Sequence, residues 1–352
     1  MLTPFAISVG FMANIKRLSE LVDRFLSGWE DWIRVAGKTG WTFGIPFLLA
    51  GFLLVMGESL TVTAQPANAG SSAKMAAKGW STKAEGSATH QLDAGLDSGG
   101  EFSLRRVVAR ISLGYRTDPS TTTAFSLGYG YAGYNFGGGG VGAFSSPWEN
   151  IHSLNAGVSF RRKVSERWSL LAVPSARLVG ESDAIARDAL SGGGIAGLFY
   201  RFSDRLSMGP GFGAFTQLED TTAFFPILLV NWQIAERWRF ETGRGLGASL
   251  GPGLLLSYRH CDSWALMLGG RYERFRFRLD PNGSTPNGVG EDRGAALYLG
   301  TRYTLSNKGS IDVFGGADVG GELRLENAVG SPISQVDHDV APFVGMSASF
   351  RF

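Results

Sequence analysis

Four histidines (His90, His152, His260, His338) and one cysteine (Cys261) are spread through 352 residues, so side chains able to build a nucleophilic or metal centre are scarce. A serine nucleophile needs a base beside it. His152 and Ser153 are the only close His and Ser pair on an extended segment, and neighbours along a strand point to opposite faces. That pair cannot work by itself. Asp337-His338-Asp339 offers the residue types of an acidic hydrolytic site, but in a polar loop it reads as a solvated turn. A lone cysteine forms no internal disulfide and no Cys/His zinc site. The chain has no H-E-x-x-H or phosphate-cradling loop, and Gly243-Arg244-Gly245-Leu246-Gly247 lacks the G-x-G-x-x-G spacing. No catalytic residue, cofactor or metal is expected.

Charge placed by periodicity is the remaining chemistry. In Arg106 to Tyr115, Val107, Ala109, Ile111, Leu113 and Tyr115 oppose Arg106, Val108, Arg110 and Ser112. In Ile311 to Glu326, the residues Ile311, Val313, Ala317, Val319, Leu323 and Leu325 oppose Asp312, Asp318, Glu322, Arg324 and Glu326. Period two is the strand period. If the apolar face looks outward, alternation sends Arg106, Arg110, Arg239, Glu241, Arg271, Glu273, Arg274, Arg276, Asp312, Asp318, Glu322 and Arg324 inward. Buried charges of mixed sign need one another. The same set lining water would impose a transverse field on a passing solute, with the arginines of 271–278 hinting at anion preference. One slip interrupts the pattern: Leu266, Leu268 and Tyr272 are even, Phe275, Phe277 and Leu279 odd. Either a β-bulge near Glu273 restores the phase or the strand has already left the membrane there.

The elements that must position these charges are long strands. The composition has 50 glycines, 12% aromatic and only 18% charged residues, and the mean hydropathy is +0.02. This excludes collagen, disorder and a bundle of membrane helices. A formal charge of +2 predicts no nucleic-acid partner. Tight-turn segments recur, as at Thr117-Asp118-Pro119-Ser120, Ser165-Glu166-Arg167-Trp168, Ser203-Asp204-Arg205-Leu206, Ala235-Glu236-Arg237-Trp238 and Cys261-Asp262-Ser263-Trp264. Between them lie longer polar stretches, 135–150, 181–194, 217–222, 280–293 and 326–339. Short turns alternating with long loops, and strands beyond ten residues, are the pattern of a transmembrane barrel rather than a soluble sandwich. Thirteen runs lie after Ser98, and the weak segment Ala88 to Leu96 supplies a fourteenth, because single-chain bacterial barrels have even numbers. The fold expected is all-β, an antiparallel up-and-down β-barrel of about 14 strands, or 12 if the 238–260 hairpin is irregular. Glycines at 128, 130, 316 and 320 read as leaving space inside it. Trp168, Trp238 and Trp264, just after short turns, suit an interfacial girdle.

Ahead of the barrel, the 19 uncharged residues from Thr39 to Gly57 follow Arg34 and Lys38 and precede Ala67-Asn68-Ala69, the parts of a secretory signal. Residues 1–69 therefore read as a leader cut after Ala69 or Ala64, residues 70–98 as a periplasmic lead-in with the first strand, and 99–352 as the barrel. An uncleaved helical anchor is the alternative. The amphipathic segment 15–35 reads as a surface helix or as a sign that translation starts at Met12.

The chain ends Met346-Ser347-Ala348-Ser349-Phe350-Arg351-Phe352, with Phe350, Ala348 and Met346 on one face and an aromatic last residue. With SLGYR (112–116), SLGYGYAGYNF (126–136), Pro147-Trp148-Glu149 and the Ser-Glu-Arg-Trp turn, the segment from about Gly100 to Phe352 resembles the uncharacterised, porin-like outer-membrane β-barrel families of bacteria. The resemblance implies an outer-membrane location, contact with membrane lipid and lipopolysaccharide, and Phe350 and Phe352 as a signal to the barrel-assembly machinery. It implies a monomer or homo-oligomer and brings no catalytic motif. The expected role is a passive pore for small solutes or a structural envelope protein. The alternatives are a lipid-modifying enzyme or protease of the outer membrane, or a surface-binding module using loops 135–150 and 280–293. Deleting Phe352 should lower the yield of heat-modifiable, protease-resistant barrel in the envelope; an unchanged yield would refute the reading of the terminus.

Overall fold

The pairing of strands first and last in the chain is what turns this sheet into a barrel. The computed structural model describes residues 78–138, 146–184, 188–219, 221–243, 253–306 and 308–352. The leader assigned to residues 1–69 and its two cleavage positions lie outside the described residues. The strands are β1 (Gly79–Gly95), β2 (Glu101–Asp118), β3 (Thr121–Gly137), β4 (Asn150–Lys163), β5 (Trp168–Glu181), β6 (Leu190–Arg201), β7 (Leu206–Thr216), β8 (Thr222–Gln233), β9 (Trp238–Thr242), β10 (Gly253–Arg259), β11 (Trp264–Arg278), β12 (Val289–Ser306), β13 (Gly309–Glu326), β14 (Pro332–His338) and β15 (Ala341–Arg351). Each pairs antiparallel with its sequence neighbour up to β13.

β13 pairs with β15 through Gly309–Asp318 and with β14 through Gly321–Glu326, so β14 and β15 share one position in the wall. β15 then pairs with β1 from Lys83 to Gln91 and closes a 14-strand antiparallel barrel. Closure pairs the first strand with the last, as a sheet surrounded by lipid requires. The first strand is a full one, starting at Gly79 rather than at Ala88. The loop read over 326–339 contains β14, and the loop read over 280–293 is shortened by the start of β12 at Val289.

Outward faces carry exposed apolar side chains such as Leu113, Phe125, Phe224, Leu228, Leu268 and Leu299. At the short-turn end, Trp168, Trp238 and Trp264 each begin a strand and stack on Tyr200, Tyr258 and Tyr303, with ring centroids 4.9 Å apart in all three pairs. Trp80 and Tyr115 repeat the arrangement at 4.7 Å. The turns between are closed by serine. Ser165 Oγ accepts from the amides of Arg167 and Trp168, and Ser203 Oγ from those of Arg205 and Leu206. Asp118 does the same for the Ser120 amide at 2.7 Å.

One pairing bypasses part of the wall. Gly180 at the end of β5 pairs in parallel with Arg278 at the end of β11. The long-loop ends of β1 and β14 are also joined, by the Leu96–His338 bridge. The strands β6 to β10 are short, with β9 and β10 only 5 and 7 residues long. At the long-loop end the wall is therefore a smaller ring of β1, β2, β3, β4, β5, β11, β12, β13 and β14. Two circumferences share one set of strands.

At several inward glycines the space that alternation suggests is taken by a neighbour, as at Gly130 by Ser153 and at Gly316 by the Leu297 carbonyl and the Phe343 ring, while a Cβ on Gly320 would meet nothing within 4 Å. A Cβ on Gly345 would lie 2.5 Å from the Phe314 ring and 2.8 Å from the Ala88 carbonyl, and Tyr298 covers Gly269 in the same way. The missing side chain is where a neighbouring strand's aromatic ring lies flat on the wall. Gly345→Val should therefore overpack this layer and cost about 1–3 kcal/mol. A lowered urea midpoint of the refolded barrel is the expected reading, and an unchanged midpoint would show that Phe314 can move aside.

Candidate functional site

Register decides which charges face the interior. β11 and β12 pair without interruption from Trp264–Tyr303 to Arg278–Val289, so no bulge occurs near Glu273. The even residues of β11 include the exposed Leu266, Leu268 and Tyr272, which fixes that face as outward. Met267, Arg271, Glu273, Phe275 and Phe277 are inward. Phe275, Phe277 and Leu279 were read as lipid-facing after a phase slip; they are inward, and Phe277 and Leu279 are buried. Arg274 and Arg276 fall on the outward face.

β13 does change phase. Its pairing with β12 shifts between Arg293 and Ala295, opposite Gly320, whose φ of +62° suits glycine. Before the bulge Asp312 and Asp318 are inward; after it Leu323 and Leu325 are inward and buried, while Glu322 and Arg324 turn outward. Glu322 and Arg324 are thus corrected from lumen-lining to outward positions, because one inserted residue flips every later side chain, and Arg274 and Arg276 are corrected likewise because the bulge expected near Glu273 is not there.

Unbroken alternation along β2, β9 and β11 puts Arg106, Arg110, Arg239, Glu241, Arg271 and Glu273 on the inward side. Several are tied to one another. Arg239 meets Glu241 at 3.3 Å, and Arg302 grips Asp312 with two bonds of 2.7 Å, with Ser347 donating to the same carboxylate. Arg106 reaches across the interior. Its Nη1 donates to Glu273 at 2.5 Å and its Nη2 to Asp292 at 2.8 Å, while Arg271 meets Glu273 at 2.9 Å. The Tyr134 hydroxyl donates to Asp292 at 2.7 Å. β2 and β11 stand on opposite sides of the nine-strand ring, as do β3 and β12, so these bonds form a strut across it.

Beyond the strut, toward the long loops, the interior is apolar and packed. Phe102, Ile151, Trp148, Phe277, Leu323 and Leu325 are all 2% exposed or less and belong to one cluster with Leu104, Val179, Leu279 and Val336. Tyr134, Phe136, Trp148 and Phe277 stack with centroids 5.1–6.3 Å apart. A barrel of eight strands is about wide enough for side chains to fill, and the nine-strand ring behaves the same way. Below the strut the inward residues Val173, Ser175, Arg177, Ile195 and Ile227 keep partial exposure. On the β10–β13 side at this level Leu255, Met267, Tyr298 and Phe314 are buried together, so the partly exposed part of the interior lies along β5 to β8, and the long-loop end is packed.

Above the short strands, the outward arginines of β11 hold the loops down. Arg276 pairs with Glu219 at 2.7 Å and with Glu291 and Glu326 at 2.5 Å. Arg278 donates to the carbonyls of Asp188, Leu218, Asn287 and Ala328, one in each of four loops. Arg293 pairs with Glu322. The loop partners of these arginines are not legible from alternation, because it is the Gly180–Arg278 crossing that brings Asp188, Leu218 and Glu219 beside β11.

The domain family described as "Domain of unknown function (DUF6268)" matches residues 144–319. Among solved structures, the "TodX monoaromatic hydrocarbon channel deltaS2 mutant" is similar at 10% identity and a TM-score of 0.43, over 79% of this chain and 91% of that one. The COG4313 outer-membrane channel of Pseudomonas putida F1 is similar at 11% identity and a TM-score of 0.42, over 81% and 100%. A Pseudomonas aeruginosa FadL homologue gives 12% identity and 0.42, over 77% and 90%. No curated protein sequence matches the chain. Replacing Glu219 by Gln should loosen the loop it anchors, seen as faster hydrogen exchange at residues 217–219 with strand protection unchanged. Equal exchange in the variant would show that the Arg278 bonds hold this loop alone.

Proposed function

The chain belongs to the DUF6268 family, a domain of unknown function, and we propose that it is an outer-membrane barrel serving as a gated conduit for small amphiphilic solutes. The observation that carries this reading is the contrast along the axis, an accessible lower lumen ending at the Arg106 strut and the apolar seal. A constitutively open pore would not fill its exit with Trp148 and Phe277.

The membrane placement rests on the exposed apolar belt, the Trp–Tyr pairs at one edge, and the pairing of the last strand with the first. The short turns face the periplasm and the long loops the exterior. Lipid and lipopolysaccharide contact the belt, and the Phe350 and Phe352 terminus serves delivery to the assembly machinery. The lower lumen has two sides. The inward faces of β6 and β7 are glycine-rich and apolar, with Gly193, Ile195, Gly197, Gly209, Gly211 and Gly213. Arg110 faces inward from β2, and Arg177 from β5 beside β6, 4.7 Å over the Phe215 ring of β7. Such walls favour a solute with an apolar body and an anionic group.

Conductance tests the gate. In planar bilayers the refolded wild type should give few steps, while Trp148→Ala with Phe277→Ala, on Arg106→Ser, Glu273→Ser and Asp292→Asn, should conduct frequently if it still migrates as a folded barrel. Arg271, which shares Glu273 with Arg106, is changed to Ser in the same variant, so that no charge of the strut is left orphaned, which costs about 3–5 kcal/mol. Steady porin-like conductance of the wild type would refute the seal; a folded, silent variant would leave a structural envelope role.

A further inference from the structure

The outward face of β4 carries a hydrogen-bonded chain that the wall itself does not require. His152 Nδ1 lies 2.7 Å from the Tyr129 hydroxyl, and Nε2 lies 3.1 Å from Ser182 Oγ. Ser182 is exposed and His152 is buried behind it, with the Tyr131 ring centroid 5.5 Å away. For the Ser182 O–H to donate to Nε2, the imidazole proton must sit on Nδ1, and Nδ1–H then donates to Tyr129. This is the order of nucleophile, base and orienting group used in acyl transfer.

The turn that presents Ser182 is fixed. The neighbouring Glu181 carboxylate accepts from the amides of Glu149 at 3.2 Å and Asp280 at 2.8 Å. Gly180 has no room for a side chain, since a Cβ there would lie 2.9 Å from both Ala184 Cβ and the Arg278 carbonyl. The Ala184 amide donates to the Glu181 carbonyl at 3.1 Å. One step toward the short-turn end, Tyr129, Leu154, Leu178 and Leu190 pair side by side in an outward row, with Leu190 well exposed. An acyl chain lying along that row brings its ester to Ser182, at the rim of the apolar belt near the long loops.

We propose that Ser182 and His152 are the nucleophile and base of an acyl-ester hydrolase acting on lipid of the outer leaflet. The inference rests on the membrane placement above but not on the conduit. Ser182 Oγ bonds to the ester carbonyl carbon as its proton passes to His152 Nε2. The ester C–O bond then breaks, and the alcohol leaves with that proton. Water attacks the acyl-serine, His152 takes and returns a proton, and a fatty acid is released with Ser182 restored. Tyr129 acts as a positioning residue for the imidazole.

The test uses the refolded full chain in detergent micelles. A fluorophosphonate probe should label Ser182, located by peptide mass spectrometry, and p-nitrophenyl decanoate should be hydrolysed. Ser182→Ala should abolish both, and His152→Ala should slow both about 100-fold or more. Both variants keep heat-modifiable mobility and wild-type conductance. Tyr129→Phe should keep labelling but move the acid limb of the rate profile to lower pH. Two lipid arms separate the sources of the ester: micelles of a diacyl phosphoglyceride and micelles of an acylated glucosamine lipid. Fatty-acid release from either supports the assignment and names the source. An unlabelled wild type, a Ser182→Ala variant as active as wild type, or release from neither lipid overturns it.

Discussion

A single crossing governs the long-loop end of this barrel. Where Gly180 pairs with Arg278, five strands drop out of the circumference, and a wall wide enough to hold a lumen becomes a ring narrow enough to be filled. Interior width falls with strand number, so the same inward alternation yields half-exposed residues below and a stacked aromatic core above. The seal is therefore a matter of topology as much as of hydrophobicity. It needs short β6 to β10, a glycine at 180 that admits the Arg278 backbone, and loops that cover the step.

Charge follows from the same geometry. Arg106 can span from β2 to Glu273 and Asp292 only because the ring has narrowed, and each partner is itself shared, Glu273 with Arg271 and Asp292 with Tyr134. Sharing is what makes so many charges tolerable away from bulk water. On the outside, Arg276 and Arg278 serve the step in a different way, holding loops through carboxylates and carbonyls. A guanidinium with five donors suits that task better than an ammonium would.

Much of this was legible in the sequence because alternation and turn chemistry are local signals. Fourteen wall positions, the tryptophans at strand starts and the inward side of Arg106, Arg110 and Arg271 all follow from period two. What failed was anything depending on a break in that period or on contact between distant strands. Gly320 gives no sign of its bulge, so Glu322 and Arg324 were assigned to the wrong side. Phe277 and Leu279 looked like a phase slip because outward is the usual place for apolar residues in such a barrel, and only the narrowed ring supplies an apolar interior to receive them. Ser182 lies thirty positions from His152 in a polar loop, and its placement depends on the turn beyond β5.

The wall position shared by β14 and β15 has a kinetic meaning. Strand pairing is interrupted at Asp339–Val340, so the seam has two separate parts, the ladder joining β15 to β1 along the wide wall and the Leu96–His338 bridge with its flanking backbone bonds joining β14 to the end of β1 at the cap. Neither needs the other's hydrogen bonds to form. Assembly can therefore pass through a state whose lower seam is already shut against lipid while the cap is still open, and the aromatic core can be laid in from the aqueous side as the last event.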